Sequence, residues 1–300
     1  MLKTGLATRL ASRTGTLTHP TSGLAPSYLQ ANLLVLPARH APDFRLLCAR
    51  NPVPCPLLAS STSPGAFTTL QSHLPAHPTL AADIDLRHDA PKYRVYSDGA
   101  LVAEKADIAA EWGDDHVGFL IGCSYSFEAA LGGAGLAPRH VVHGRNVAMY
   151  RTAVPLAPAG VFTGGTVVVS MRPYRVEDVG RVREVTKGFT VTHGEPFAWG
   201  WDAVRELGIR DIGRPEWGDV CLTADRRGVF CQENGEGFVP VFWGCGVTPQ
   251  EAVMRAGLEG TVMGHAPGHM IVLDVRDHEV FPQLDKGGEV AEVEGQQPVH

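Results

Sequence analysis

Two apolar segments of the chain each end in Gly-Cys, and a helix is predicted to follow each of them. The first runs from Phe119 through Gly122 to Cys123, and the second runs from Val241 to Cys245. Free N–H groups at a helix N-terminus attract anions, and a thiol placed there has its thiolate favoured. Cys123 and Cys245 are therefore candidate nucleophiles in one crevice, with the adjacent N–H groups as oxyanion donors. The alternative is two ordinary helix starts with inert buried thiols.

Polar groups in and beside these strands are candidates for binding a carboxylate substrate. Thr248 is also a natural N-cap, because the Pro249 that follows it suits the first position of a helix. Gln30 and Asn32 lie within an apolar run, so each requires hydrogen-bond partners if it is buried. They either orient a ligand or tie loops together. The candidates of this group are Gln30, Asn32, Ser124, Ser126, Gly246 and Thr248.

The segment His265-Ala-Pro-Gly-His269 carries two histidines at the i, i+4 spacing of some metal sites. Pro267 and Gly268 interrupt any helix there, and no Glu follows the first histidine, so we expect no metal. The favoured interpretation is a tight loop that presents His265 or His269 as a general acid or base, because imidazole titrates near neutral pH.

Three arginines accompany an amide and a phenol over two predicted strands. Arg145, Asn146, Tyr150 and Arg151 lie close together in the chain, and Arg172 follows in the next strand. Guanidinium groups bind carboxylates through two parallel hydrogen bonds, so this set predicts a carboxylate pocket. The alternative is ion pairing at the surface, where most single arginines lie.

The elements that must position these residues follow from the chain's periodicity. The Asp98-Gly99 dipeptide predicts a hairpin, helices are predicted over 43–50 and 107–113, and 59–82 is predicted to be a loop. The alternation of strands and helices predicts an α/β fold whose main domain has a mixed sheet. Gly-rich nucleotide motifs are absent from the sequence, so no cofactor is expected.

The composition excludes several classes of protein. A net charge of −6 over 300 residues argues against nucleic-acid binding, and the sequence lacks an apolar run of the roughly 18 residues that span a bilayer. The six cysteines form no C-x-x-C, which predicts a reduced, cytoplasmic protein. Before Asp43 the chain is basic and rich in Ser and Thr, which is typical of a mitochondrial transit peptide. An ordinary N-terminal helix is favoured, with the mitochondrial matrix as the alternative location.

Seven motifs, in order along the chain, resemble those of the D-glutamate cyclase family, also called a hydro-lyase family. The resemblance extends over about residues 18–275. It implies a main α/β domain over 18–160 and 237–280 and a smaller inserted α+β domain over 161–236. The composition of the C-terminal segment, rich in Gly, Glu and Gln, predicts a disordered tail over 281–300. The motifs lie at 20–32, 50–57, 118–130, 144–152, 170–173, 241–249 and 265–270.

The resemblance implies a lyase that interconverts D-glutamate and 5-oxo-D-proline plus water. On this reading His265 or His269 is the base, the arginines hold the α-carboxylate, and Cys123 or Cys245 is a nucleophile only if a thioester forms. The expected partner is a small carboxylate, and a homo-oligomer is left open. The alternatives are a dicarboxylate-binding module without turnover and a subunit of an assembly that processes 5-oxoproline.

Overall fold

Two β-sheets form the framework of the computed structural model, which describes residues 2–235 and 237–281. Every strand pair recorded among these residues is antiparallel. The strands are β1 (Tyr28–Pro37), β2 (Leu57–Ser61), β3 (Leu70–Ser72), β4 (Tyr93–Ser97), β5 (Ala100–Lys105), β6 (His116–Gly122), β7 (Ala148–Pro155), β8 (Thr166–Arg175), β9 (Ala198–Trp199), β10 (Phe238–Gly244), β11 (Thr261–His265) and β12 (Ile271–Arg276).

Short helices cover the sheets and connect the strands. The helix Val179–Thr186 illustrates the packing, because its apolar positions Val179 and Val182 are buried while the positions between them reach solvent. The helices are α1 (Gly5–Arg13), α2 (Ala41–Arg50), α3 (Glu128–Gly133), α4 (Arg139–His143), α5 (Val179–Thr186), α6 (Trp201–Glu206), α7 (Val247–Ala256) and α8 (Asp277–Val280).

The larger sheet is built around β1. Its order is β3-β2-β6-β1-β11-β4-β5, and β12 also pairs with β1, along the part of β1 that precedes its contact with β11. Nine of the ten residues of β1 are buried, as expected for an apolar strand covered on both faces. The central position of β1 places Gln30 and Asn32 beside the end of β6, where the first Gly-Cys turn lies.

The smaller sheet has the order β7-β8-β10-β9. Its register sets Ser170 of β8 opposite Trp243 of β10, and Arg172 opposite Val241. Because side chains two apart on a strand share a face, Ser170 and Arg172 point to the same side. That shared face supplies part of the candidate site described below.

The predicted α/β class is confirmed, although the sheets are antiparallel where a mixed sheet was expected. The helix predicted over 107–113 is wrong: Asp107 accepts the N–H of Ala109 in a local turn, and only one helical bond follows, from the Trp112 N–H to Ile108. The loop predicted over 59–82 contains most of β2 and all of β3, because pairing with β6 fixes this segment.

The predicted domain boundaries fall within the smaller sheet. β7 and β10 come from the predicted main domain and β8 from the predicted inserted one, so the division into two domains stays a prediction. Phe281 is buried against Phe189, and the rest of the predicted tail lies outside the described residues. Among residues 2–235 and 237–281, we find no helix long and apolar enough to cross a membrane.

Candidate active site

Arg172 is fully buried, and its guanidinium makes three hydrogen bonds within the protein. Nη1 donates to Ser170 Oγ at 3.0 Å, and Nη2 donates to Ser124 Oγ at 3.0 Å and to Glu128 Oε1 at 2.7 Å. Burial of a charged pair is tolerated only when hydrogen bonds of this kind compensate for lost hydration. The carboxylate that Arg172 binds is therefore Glu128, and a substrate would have to displace it.

The Glu128 carboxylate has two further neighbours. His140 Nε2 lies 2.8 Å from Oε1, and Ser22 Oγ donates to Oε2 at 2.9 Å. Burial alone would raise the pKa of Glu128, but electrostatic interaction with His140 and Arg172, together with the hydrogen bond from Arg172, outweighs it and lowers that pKa. Glu128 is therefore ionised at neutral pH.

His140 is the titratable side chain that joins this buried carboxylate to a pocket. Its Nε2 lies close to the Glu128 carboxylate but is poorly aligned for a hydrogen bond. The ring stacks on Tyr125, with centroids 6.1 Å apart and planes inclined by 25°. His140 Nδ1 is buried and has no hydrogen-bond partner in the described part of the chain. His140 lines a pocket, and an imidazole in such a position is suited to proton transfer.

The pocket beside His140 is lined by a positively charged side chain, Arg145, and by a negatively charged one, Asp219. Arg145 Nε is buried there without a hydrogen-bond partner among the described residues. Asn146 is held in place, because its side chain donates to Pro267 O at 3.3 Å and accepts the Tyr125 hydroxyl. The polar and charged lining residues are Arg139, His140, His143, Arg145, Asn146 and Asp219.

A more open groove adjoins this pocket. The two share Arg139, His143 and Pro173, so these side chains stand between the pocket and the groove. The pocket is too narrow for an amino acid as it stands, whereas the groove is open to solvent. Entry of a substrate therefore requires these shared side chains to move.

The two Gly-Cys turns lie together, as the sequence predicted. Asn32 Nδ2 donates to Gly122 O at 3.0 Å, and a Cβ on Gly246 would fall 1.8 Å from the same Nδ2 atom. Asn32 therefore separates the two turns, and only glycine fits at position 246. Cys123 and Cys245 belong to one buried apolar cluster.

The prediction that the thiols of Cys123 and Cys245 favour the thiolate form is wrong. Burial raises the pKa of the Cys123 thiol above its usual range, and it raises that of Cys245 to about 11. The single N–H near Cys123 Sγ, from Tyr125 at 3.5 Å, does not offset the loss of hydration. Both thiols are protonated at neutral pH, which is the state of inert core cysteines.

Two of the backbone N–H groups that were expected to stabilise an oxyanion already donate hydrogen bonds within the protein. The Gly122 N–H donates to Pro56 O, and the Thr248 N–H donates to Cys245 O. Thr248 is also not the N-cap that was expected, since α7 begins at Val247 and Gly246 precedes it. Its hydroxyl instead accepts the Val168 N–H at 3.0 Å.

The two histidines of the 265–269 segment do not line the His140 pocket. His265 is fully buried in β11, where Nδ1 accepts the Leu33 N–H at 3.1 Å, and burial lowers its pKa to about 4. His269 is half-buried, and burial lowers its pKa as well. The segment contributes to the site through its backbone, because Pro267 O accepts from Asn146.

The predicted arginine pocket is not assembled. Arg151 makes two hydrogen bonds to Glu251, at 2.6 and 3.0 Å, and Tyr150 donates to Ile212 O at 2.6 Å. Only Arg145 and Asn146 of the predicted set line the His140 pocket. Arg172 lies behind it, in contact with Glu128.

Gln30 and Ser126 tie loops together in the structure. Gln30 Nε2 donates to Thr21 O at 3.1 Å, and the Gln30 N–H donates to Ser126 Oγ at 3.0 Å. These bonds hold the 20–27 segment, which brings Ser22 to Glu128. Both residues therefore shape the site without lining the pocket.

Sequence reasoning missed three residues of the site, Glu128, His140 and Asp219. Glu128 follows the Ser124-Tyr-Ser-Phe127 turn directly, so an acidic residue at a helix start was the available signal. His140 and Asp219 carried no local signal, because their partners are distant in the chain. A group of three or more His, Cys, Asp or Glu side chains able to hold a metal ion is not found in the described ranges.

The fold and site together define an α/β protein with a buried arginine–carboxylate–histidine cluster beside a pocket of mixed charge. Comparison with known proteins identifies its family. The profile of the D-glutamate cyclase family, described as "D-glutamate cyclase", matches residues 117–274. The chain belongs to this family.

Relatives of similar length support the same assignment. A "Putative hydro-lyase" of Rubrobacter xylanophilus is 49% identical over 267 residues, which are 89% of this chain and 94% of that protein. A "Putative hydro-lyase" of Schizosaccharomyces pombe is 45% identical over 86% of this chain and 80% of its own length. "Putative hydro-lyase YcsI" of Bacillus subtilis is 45% identical over 91% of this chain and 96% of its own.

Proposed function

We propose that the protein is a lyase that cyclises D-glutamate to 5-oxo-D-proline with loss of water. The observation that carries the proposal is the position of His140, which lines the pocket, contacts the ionised Glu128, and has no hydrogen-bond partner at Nδ1 among the described residues. A carboxylate–imidazole pair is a common arrangement for acid–base catalysis. Family membership and the relatives' descriptions support a hydro-lyase reaction.

Arg145 is the residue we assign to the α-carboxylate of the substrate. Its Nε is buried and unpaired among the described residues, so a bound carboxylate would satisfy it. Asn146 and Tyr125 hold one another and shape the pocket wall beside it. Arg172 takes a different role from the one the sequence suggested, because it holds Glu128 in place.

His140 is the base in this scheme, in place of His265 or His269. It takes a proton from the substrate ammonium and gives it to an oxygen of the γ-carboxylate, and the free amine attacks the γ-carboxyl carbon to form the C–N bond. His140 then takes a second proton from the nitrogen and gives it to the hydroxyl group as the C–O bond breaks, so that one water leaves. Glu128 orients the imidazole and stabilises its protonated form. The step transfers only protons, so we propose no cofactor and no role for a thiol.

We propose a reducing compartment, the cytoplasm, as the location. All six cysteines are free. The N-terminal segment forms α1, in which Arg9 is fully buried and pairs with Asp274 at 2.8 Å. A removable transit peptide would not be expected to supply a fully buried arginine, so we interpret this segment as part of the fold.

The function is tested by incubating the purified full chain separately with D-glutamate, L-glutamate and each 5-oxoproline enantiomer. We expect loss of primary amine and formation of 5-oxoproline from D-glutamate alone, or the reverse reaction from 5-oxo-D-proline. No turnover, with clear thermal stabilisation by glutamate or glutarate, would instead favour a carboxylate-binding module.

A further inference from the structure

We infer that Asp219 is a further substrate-binding residue, which holds the α-ammonium group of an amino acid in the His140 pocket. The inference rests on the proposed function of the same pocket and adds the class of ligand that it selects. It is carried by the placement of Asp219, by its charge, and by the residues that line the pocket with it.

Asp219 is fixed by hydrogen bonds in both directions with Asn146. The Asn146 N–H donates to Asp219 Oδ2 at 2.8 Å, and the Asp219 N–H donates to Asn146 O at 3.4 Å. The preceding Gly218 lies so close to the residue before β7 that a Cβ would be 1.9 Å from Val147 O. The carboxylate therefore belongs to a closely packed wall of the pocket.

The charge of Asp219 is not neutralised within the described residues. We find no Lys, Arg or His nitrogen within 4.0 Å of its carboxylate in the ranges 2–235 and 237–281, and Asp219 is the one acidic residue among the pocket-lining residues. Glu128 lies behind His140 and already has Arg172. A positively charged group on a ligand would therefore neutralise the Asp219 carboxylate.

An unpaired carboxylate in the pocket wall would lower the affinity for a dicarboxylate without an amine, since like charges repel. An α-amino acid carries a carboxylate for Arg145 and an ammonium for Asp219. The combination therefore selects glutamate over glutarate, which has the same carboxylates and no amine. It also places the amine in the pocket of His140, the base of the proposed reaction.

The test is calorimetric titration of the full chain with D-glutamate and with glutarate. The proteins are wild type, Asp219→Asn, and Asp211→Asn as a control, since Asp211 is exposed and does not line the pocket. A His140→Gln version of each protein keeps D-glutamate from reacting during the titration. The Asp219→Asn amide oxygen still accepts the Asn146 N–H, and an unchanged Tm confirms that the fold is kept.

We expect wild type to prefer D-glutamate, and Asp219→Asn to lose roughly tenfold or more of that affinity, because a hydrogen bond to a charged group is lost. Glutarate binding should stay the same or improve, and Asp211→Asn should match wild type. An unchanged ratio of the two affinities, an equal loss for both, or no D-glutamate binding by wild type would each overturn the inference. Preferential binding of D-glutamate, with no turnover by the protein that keeps His140, would refute the proposed reaction and leave Asp219 assigned.

Discussion

Arg172 Nη2 lies 2.7 Å from Glu128 Oε1, and both side chains are buried. Arg172 belongs to β8 of the smaller sheet, whereas Glu128 begins α3, shortly after β6 of the larger sheet. This ion pair therefore connects the two sheets at the point where the candidate site lies. The same carboxylate contacts His140, so the residues that hold the sheets together also orient the proposed base.

Arg172→Met should lower the free energy of unfolding by about 3–5 kcal/mol, because it leaves Glu128 buried without its charged partner. Urea denaturation at neutral pH measures the loss. Arg205→Met is the matched control, since Arg205 and its partner Asp202 are exposed, and it should change stability by less than about 0.5 kcal/mol. Equal stabilities of the two variants would show that the pair does not hold the sheets together.

Lowering the pH should destabilise the folded protein, because His265 is buried in its neutral state. Burial lowers its folded-state pKa to about 4, whereas the unfolded-state value is about 6.5. The unfolded chain then binds a proton first as pH falls, so stability is complete above about pH 6.5 and decreases until pH passes the folded value. The loss is on the order of 3 kcal/mol.

The measurement is chemical denaturation between pH 8 and pH 4, with NMR titration of the histidine rings. His265→Asn should show a shallower loss over this range than wild type. Protonation of the His265 ring near pH 6.5 in the folded protein would contradict the account of its burial, and it would make His265 a base candidate again.

Gly246→Ala should destabilise the protein by about 1–3 kcal/mol, because the added methyl group would overlap the Asn32 amide. Asn32 cannot move away without losing its bond to Gly122 O. Gly132→Ala in α3 is the control, since nothing lies within 4 Å of the Cβ position there, and alanine should be neutral or stabilising. Thermal unfolding of both variants compares them directly. Equal midpoints would refute this packing of the two Gly-Cys turns.

Cys123 and Cys245 should resist alkylation in the folded protein. Both are buried with raised pKa values, so iodoacetamide at pH 8 should modify them at least about a hundredfold more slowly than after unfolding. Mass spectrometry of the alkylated peptides gives the rates. Rapid labelling of either thiol, with loss of turnover, would restore the thioester hypothesis.

The sequence predicted those parts of the site that depend on local pattern. The two strands ending in Gly-Cys follow from apolar runs and turn residues, as does the hairpin at Asp98-Gly99 elsewhere in the fold. The partners of the arginines do not, because Glu128 and Glu251 come from elements 44 and 100 positions away in the chain. Charge spacing along a strand gives no information about which carboxylate folds against it.

The sequence also provides no reason to prefer His140, the base that we propose, over His265 or His269. His265 and His269 stand in a conspicuous loop motif, whereas His140 lies in an ordinary short helix. Burial and the position of Glu128 decide which imidazole can exchange protons, and both are properties of the tertiary structure. Residue type alone could not separate the three histidines.

The most direct test of the account is the rate of 5-oxoproline formation from D-glutamate by His140→Gln. The control is His278→Gln, since His278 is exposed in α8. We predict that His140→Gln lowers kcat by about 100-fold or more, as expected for loss of a general acid–base group, with its Tm and KM little changed. The control should keep the wild-type rate. Wild-type turnover by a folded His140→Gln variant would contradict the central claim.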